Sequence, residues 1–157
     1  MQIKLEESLN NQIQPDMSSK ISTSSHQNRI KAWRVATSIG VSFKYAAAGV
    51  TYAFNTQRNF RIHCVMGTLA ITIGALLQLT GVEMAVICIT SGLVLTLELL
   101  NTAIESVVDL TVGQTYHELA KIAKDCAAGA VLISAFASVL VGFCLVAPKL
   151  VSLLLVR

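Results

Sequence analysis

Charged residues are scarce in this sequence of 157 residues. Only 13% of the residues are charged, whereas ordinary soluble domains contain about 25%. The hydrophobic fraction is 54%, and the mean hydropathy is +0.63. This composition favours a single polytopic membrane domain. The formal net charge of +3 is small, so we interpret it as juxtamembrane charge rather than as a nucleic-acid-binding surface, and we expect no nucleic-acid partner.

Several familiar motifs are also absent. The four cysteines include no CxxC pair, so we expect them to act as small apolar residues and predict no disulfide framework. The sequence has neither a Walker A loop nor a GxGxxG motif, which means that any nucleotide site is built in another way. Paired ExxH motifs are missing, which excludes a di-iron bundle. No apolar segment follows a basic start, which excludes a secretory signal peptide.

The polar start of the chain differs from the remainder. We predict a disordered polar tail over residues 1–34, because this segment is rich in serine and has no apolar periodicity. Residues 35–157 are predicted to form one integral-membrane domain. Within it, Phe43, Val50 and Phe54 lie on one helical stripe. The segment of about 38–57 is too polar to span a bilayer, so we predict an amphipathic helix lying at the membrane surface.

Three apolar segments follow, at about 62–79, 84–110 and 126–147. Each is long enough for a transmembrane helix. The predicted fold class is therefore an all-α membrane protein with three transmembrane helices and an N-terminal interfacial amphipathic helix. Residues 80–83 are predicted to form a tight turn with Glu83 as a solvated carboxylate, and Pro148 is predicted to end the last span.

The basic residues indicate the orientation of these spans. Ten of the twelve Lys and Arg residues precede the first span or lie between the second and the third. The positive-inside rule therefore predicts that the N-terminus and the loop of residues 113–124 face the cytoplasm.

The most informative stretch directly follows the charge-free run of residues 84–97. At 100° per residue, four polar side chains fall on one stripe of the second span: Glu98, Asn101, Glu105 and Asp109. Ionisable groups in membrane-length helices are costly and usually functional. The stripe is therefore predicted to be a site at the cytoplasmic end of the span.

These groups suit phosphoryl transfer to a lipid alcohol. That reaction needs a base for the hydroxyl, magnesium at the phosphates and cations for the transferring charge. Glu98, at the edge of the apolar run, is the candidate general base, and Glu105, closer to water, is a candidate metal ligand. His117 and the pair Lys124-Asp125 follow in the next loop and helix start.

Other interpretations of these residues remain open. Glu98 could serve only as an interhelical hydrogen-bonding group, Lys124-Asp125 as a membrane anchor and helix cap, and Tyr45 as part of an interfacial aromatic belt. For the whole chain, the alternatives are a small transporter with an intramembrane glutamate and a structural membrane subunit. A transporter of that kind would place its glutamate in mid-membrane, and a structural subunit gives no reason for the stripe.

Five segments together resemble one protein family. They are Arg58–His63, Glu98–Asp109, Tyr116–Leu119, Ala123–Asp125 and Ala130–Ile133. In order and spacing, they are similar to the bacterial integral-membrane diacylglycerol kinase/undecaprenol kinase family, and the resemblance covers about residues 38–147. It implies an ATP- and Mg²⁺-dependent lipid kinase of the bacterial inner membrane, a homotrimer in the bilayer with shared active sites that face the cytoplasm. The implied reaction converts diacylglycerol to phosphatidate, with undecaprenol as the alternative acceptor.

The resemblance also implies roles for individual residues. Glu98 and Asn101 would be catalytic, and Glu98 and Arg61 would meet the lipid substrate. The residues implied to meet ATP are Tyr45, Gln57, Glu105, Tyr116, His117, Lys124 and Asp125. Glu105 would also bind the metal. Gln57 stands where the family usually has a second metal-binding glutamate, and because an amide offers an oxygen without a charge, we expect a weakened metal site.

Overall fold

The computed structural model describes residues 38–155 of the chain, so the tail predicted for residues 1–34 lies outside the described part. The described part contains four helices and no strand: α1 (Ile39–Thr56), α2 (Arg58–Leu76), α3 (Gly81–Val112) and α4 (Glu118–Leu155). It divides into two units, with residues 38–45 in the first and residues 46–155 in the second.

The helices α2, α3 and α4 are long and apolar enough to cross a membrane. Most of their large apolar side chains point away from the rest of the chain, as Leu93, Leu132 and Phe143 illustrate. A surface of this kind is stable against lipid or a partner helix rather than against water. The predicted fold class is confirmed: the chain is an all-α, multi-pass membrane protein in which an 18-residue helix precedes three longer apolar helices.

A single residue separates α1 from α2. Gln57 has an extended backbone (φ −97°, ψ 115°) and breaks the helical path between them. The guanidinium group of Arg61 donates from Nη1 to the carbonyl oxygens of Phe54 and Asn55, at 3.4 Å and 3.2 Å. These carbonyls lie in the last turn of α1, where no intrahelical N–H is available to them. Arg61 therefore stabilises the end of α1.

The turn between α2 and α3 differs in detail from the predicted one. The helix α3 begins at Gly81, and Glu83 belongs to its first turn. The Thr80 hydroxyl accepts a hydrogen bond from the Glu83 N–H at 3.4 Å, and the Glu83 carboxylate accepts one from the Thr80 N–H at 2.7 Å. This is a capping box, which satisfies two N–H groups at the helix start. The prediction of Glu83 as a merely solvated carboxylate was wrong, because its spacing from Thr80 makes it a cap.

The last helix continues through the proline predicted to end it. The helix α4 includes Pro148 and ends at Leu155. Proline removes one N–H donor, but apolar membrane helices tolerate it where Ser or Thr side chains and local adjustments satisfy the freed backbone groups. The carbonyl group that loses its donor lies four residues before the proline, and the hydrogen bond from Ser152 Oγ to the carbonyl oxygen of Lys149 at 2.8 Å belongs to the following turn. Pro148 therefore does not end the helix, contrary to the prediction, because α4 continues to Leu155.

The helix α3 is the centre of the packing, because it contacts α4 most extensively and also packs against α2. Its buried residues, Ile87, Val94, Glu98 and Thr102, form one stripe along the helix. The buried residues of α4 are Ala127, Val131 and Ser134, and small side chains of this kind permit close helix approach. The fold thus places Glu98 on the packed face of α3.

Candidate active site

The carboxyl group of Glu98 is the most buried ionisable group in the described part of the chain. The residue is only 3% exposed, and none of the described residues donates a hydrogen bond to its carboxylate. One turn further along α3, Thr102 donates from Oγ1 to the backbone carbonyl of Glu98 at 2.9 Å. His63 of α2 and Glu105 are the titratable neighbours that interact electrostatically with it. Glu98 is therefore a buried carboxyl group whose oxygens are available for a ligand.

Asn101 and Glu105 form a direct pair one turn apart. The Asn101 Nδ2 donates to Glu105 Oε1 at 3.0 Å, and both residues are half-buried. The other amide atom, Asn101 Oδ1, is fully buried and has no hydrogen-bond partner among the described residues. Buried polar atoms are normally paired, so an unpaired one indicates a position for a ligand or an ion. The pair leaves two kinds of oxygen available here, from an amide and from a carboxylate.

Two ion pairs follow at the exposed end of the stripe. Asp109, in the last turns of α3, pairs with Lys124 of α4. Lys121 and Asp125 form a second pair within α4 at 2.9 Å, and both side chains are 63% exposed. Two of these four side chains are acidic and two are basic, so their formal charges cancel.

A cavity of about 740 Å³ lies between the end of α3 and the start of α4. Its charged and hydrogen-bonding wall residues are Asp109, Gln114, Thr115, Tyr116, His117, Lys121, Lys124 and Asp125. Four residues that the resemblance implies for ATP binding, Tyr116, His117, Lys124 and Asp125, are thus brought together. Glu98, Asn101 and Glu105 are outside this wall and lie on the adjoining turns of the same helix.

The remaining predicted site residues lie on or near α1 and α2. Tyr45 is 64% exposed on α1, in the first of the two units. Gln57 Nε2 donates to Thr56 Oγ1 at 3.4 Å. Arg61 directs one guanidinium nitrogen to the carbonyls at the end of α1, which is a use that the prediction of a lipid contact did not include. Within residues 38–155, no three His, Cys, Asp or Glu side chains converge as a metal site, so Glu105 and Gln57 stay predictions as metal ligands.

Two features of the site were not predicted from the sequence. The first is the pairing of Asp109 with Lys124 across two helices; opposite charges on either side of a short loop were the available signal. The second is an apolar groove of about 470 Å³ between α2, α3 and α4, with His63, Ser91 and Ser138 among its wall residues. Only the packing of three helices creates this groove, so sequence periodicity gives no signal for it.

Comparisons with known proteins identify the family of this chain. A family model described as prokaryotic diacylglycerol kinase matches residues 44–146. The chain is 64% identical to a diacylglycerol kinase of Synechocystis sp. over 126 residues, which cover 80% of this chain and 72% of that protein. It is 41% identical to the undecaprenol kinase of Bacillus subtilis over 109 residues (69% of this chain, 88% of that protein). Identity to the diacylglycerol kinase of Escherichia coli strain K12 is 35% over 107 residues (68% and 84%). The chain therefore belongs to the prokaryotic diacylglycerol kinase family of integral-membrane lipid kinases.

Proposed function

We propose that this protein transfers the γ-phosphoryl group of ATP to the hydroxyl group of a membrane lipid alcohol, and that the acceptor is diacylglycerol, giving phosphatidate. The observation that carries the proposal is the continuity of the site along α3. A buried carboxyl group at Glu98 and a polar cavity beside Asp109 lie on one helix. An apolar acceptor and a water-soluble donor require these two environments side by side.

Glu98 is the proposed general base. Its place on an apolar, membrane-length helix would put the carboxylate at the depth of a lipid hydroxyl group. As the hydroxyl oxygen bonds to the γ-phosphorus, the O–H proton passes to the Glu98 carboxylate, and ADP leaves with the electrons of the broken P–O bond. Asn101, three residues further along the same helix, is the proposed partner of Glu98 in the site.

The cavity beside the α3–α4 loop is the proposed nucleotide site. Tyr116, His117, Lys124 and Asp125 are its proposed contacts with ATP. Because the charges of the two ion pairs in its wall cancel formally, these residues do not neutralise a triphosphate. A further cation must accompany the nucleotide.

The donor groups near Asn101 fit Mg²⁺. The ion prefers oxygen ligands and often uses one or two carboxylates together with substrate phosphates. The second carboxylate oxygen of Glu105 and the buried, unpaired Asn101 Oδ1 meet this requirement, and the amide oxygen of Gln57 is the further proposed ligand. When bound, Mg²⁺ would neutralise charge on the phosphates.

We further propose that the protein is a homotrimer in the bacterial inner membrane, with its N-terminus and active site towards the cytoplasm. The outward-facing apolar side chains of α2, α3 and α4 support a bilayer and partner helices as surroundings. The distribution of Lys and Arg residues supports the orientation. The relatives supply no support for the transporter alternative, since those reported above carry kinase names.

The acceptor assignment follows the more similar relative. A protein with 64% identity carries the name diacylglycerol kinase, and one with 41% identity carries the name undecaprenol kinase. The test is to incubate purified protein in lipid vesicles with labelled ATP and either alcohol, at equal surface density. We expect faster labelling of diacylglycerol, and no labelling after magnesium is chelated. Labelling of undecaprenol alone would contradict the acceptor, and labelling of neither alcohol would contradict the kinase activity.

A further inference from the structure

We propose that Asp109 is a positioning residue, whose carboxylate holds the ammonium group of Lys124 at the wall of the cavity, in the place where it meets the nucleotide phosphates. The proposal rests on the proposed function, because it assigns a task to a residue that the phosphoryl-transfer chemistry does not itself require. Asp109 touches neither substrate in this scheme and acts through Lys124.

The ion pair connects two helices across the loop that forms the cavity. Asp109 lies in the last turns of α3, and Lys124 lies in the second turn of α4. The backbone carbonyl of Asp109 accepts a hydrogen bond from the Gly113 N–H at 2.9 Å, and Gly113 has a positive φ of 58°. This helix end fixes the backbone of Asp109 directly beside the loop. The backbone from which the Asp109 carboxylate reaches Lys124 is therefore fixed by the fold.

The two lysines of the cavity wall differ in their partners. Lys121 pairs with Asp125 on its own helix, and its side chain is 63% exposed. Lys124 pairs with Asp109 on another helix, and its side chain is 36% exposed. A lysine has a flexible four-carbon stem, so without a partner its ammonium group samples many positions. Only Lys124 has a partner that fixes it relative to both helices of the cavity.

The sign of the effect of removing Asp109 separates two roles. If the carboxylate acts only as a negative charge near the phosphates, its removal reduces repulsion and lowers KM for ATP. If it positions Lys124, its removal lets the ammonium group move away and raises KM for ATP. Exposed ion pairs shift the population of a paired side chain by about twofold to fivefold. We therefore expect KM for ATP to rise by about twofold to fivefold in Asp109→Asn, with KM for the lipid unchanged.

The experiment measures both KM values in lipid vesicles for the wild type and for Asp109→Asn, Lys124→Gln and the double variant. Because Asp109 acts through Lys124, Asp109→Asn should raise KM no further when Lys124→Gln is already present. Asp109→Glu restores the charge and should recover part of the loss. The matched control is Glu118→Gln, which neutralises an exposed carboxylate of the same region that is not part of the cavity wall. This control should keep the wild-type KM.

Each outcome separates the inference from the proposed function. A wild-type protein that phosphorylates no lipid alcohol overturns the function and the inference together. An active wild type with an unchanged or lower KM in Asp109→Asn overturns the inference alone. Additive effects in the double variant also overturn it, because Asp109 would then act independently of Lys124. Asp109→Ser removes the same carboxylate and replaces Asp109→Asn if that variant does not insert into vesicles.

Discussion

Replacing the buried carboxyl group of α3 by an amide tests the centre of the proposed site. Glu98→Gln keeps the size of a side chain that is only 3% exposed, so the packing against α4 should be retained. No described residue donates a hydrogen bond to this carboxylate, so the substitution breaks no such bond among the described residues. Loss of a general base lowers the rate by about 10²–10⁴-fold. This corresponds to about 2.7–5.4 kcal/mol on the barrier.

The same substitution should not lower stability. An ionisable group on the packed face of an apolar helix is costly, and the amide removes it without opening a cavity. We therefore expect a thermal midpoint in detergent that equals or exceeds the wild-type value, together with a kcat lowered by at least a hundredfold. Opposite changes in stability and activity are typical of a functional group that the fold does not need.

The assay is transfer of label from ATP to diacylglycerol in vesicles, with the thermal midpoint measured on the same preparation. Glu118→Gln is the control, because it makes the same chemical change on an exposed side chain and should leave kcat unchanged. A kcat in Glu98→Gln within tenfold of the wild type would refute the role of general base. A large fall in the thermal midpoint would instead support a purely structural role for Glu98.

Three further substitutions test the metal site and the fold. Gln57→Glu supplies a charge at the predicted metal position and should lower the magnesium concentration for half-maximal activity by about tenfold; an unchanged magnesium dependence would disprove the weakened site. Gly74→Ala places a methyl group 2.7 Å from Met84 Sδ, and this crowding opposes the gain of about 1 kcal/mol that alanine brings to a helix. In a thermal melt, Gly74→Ala should therefore be less stable than Gly92→Ala, which has open space around the new methyl group. Thr80→Ala removes the capping box and should cost about 1 kcal/mol in the same melt without changing kcat.

The polar stripe could be predicted from sequence because it depends only on helical periodicity. Asn101 and Glu105 are four residues apart, and their direct hydrogen bond is a consequence of that spacing. Tyr116, His117 and Lys124 line one cavity, and only the family resemblance predicted that they belong to one site. A loop has no regular repeat from which their proximity could be predicted.

The sequence could not predict features that depend on the third dimension. Pro148 ordinarily ends a helix, yet in α4 the backbone continues to Leu155. The lipid contact of Arg61 stays a prediction, and the sequence did not predict that its guanidinium group donates to carbonyl oxygens seven and six residues earlier in the chain. Such contacts require the extended backbone at Gln57. The sequence around Gln57 does not indicate the angle at which the two helices meet.

The placement of the site on one continuous helix explains how a lipid hydroxyl and a nucleotide can meet. Burial decreases along α3, from Glu98, which is buried, through the half-buried Glu105 to the exposed Asp109. Eleven residues at 1.5 Å each separate the first from the last by about 16 Å, and the backbone hydrogen bonds of the helix fix that distance. One residue inserted between Asn101 and Glu105 would rotate Glu105 and Asp109 by about 100° relative to Glu98. Every side chain would remain, but the base would no longer share a face with the proposed metal and nucleotide residues. The chemistry therefore depends on the register of the helix as much as on the identity of its residues.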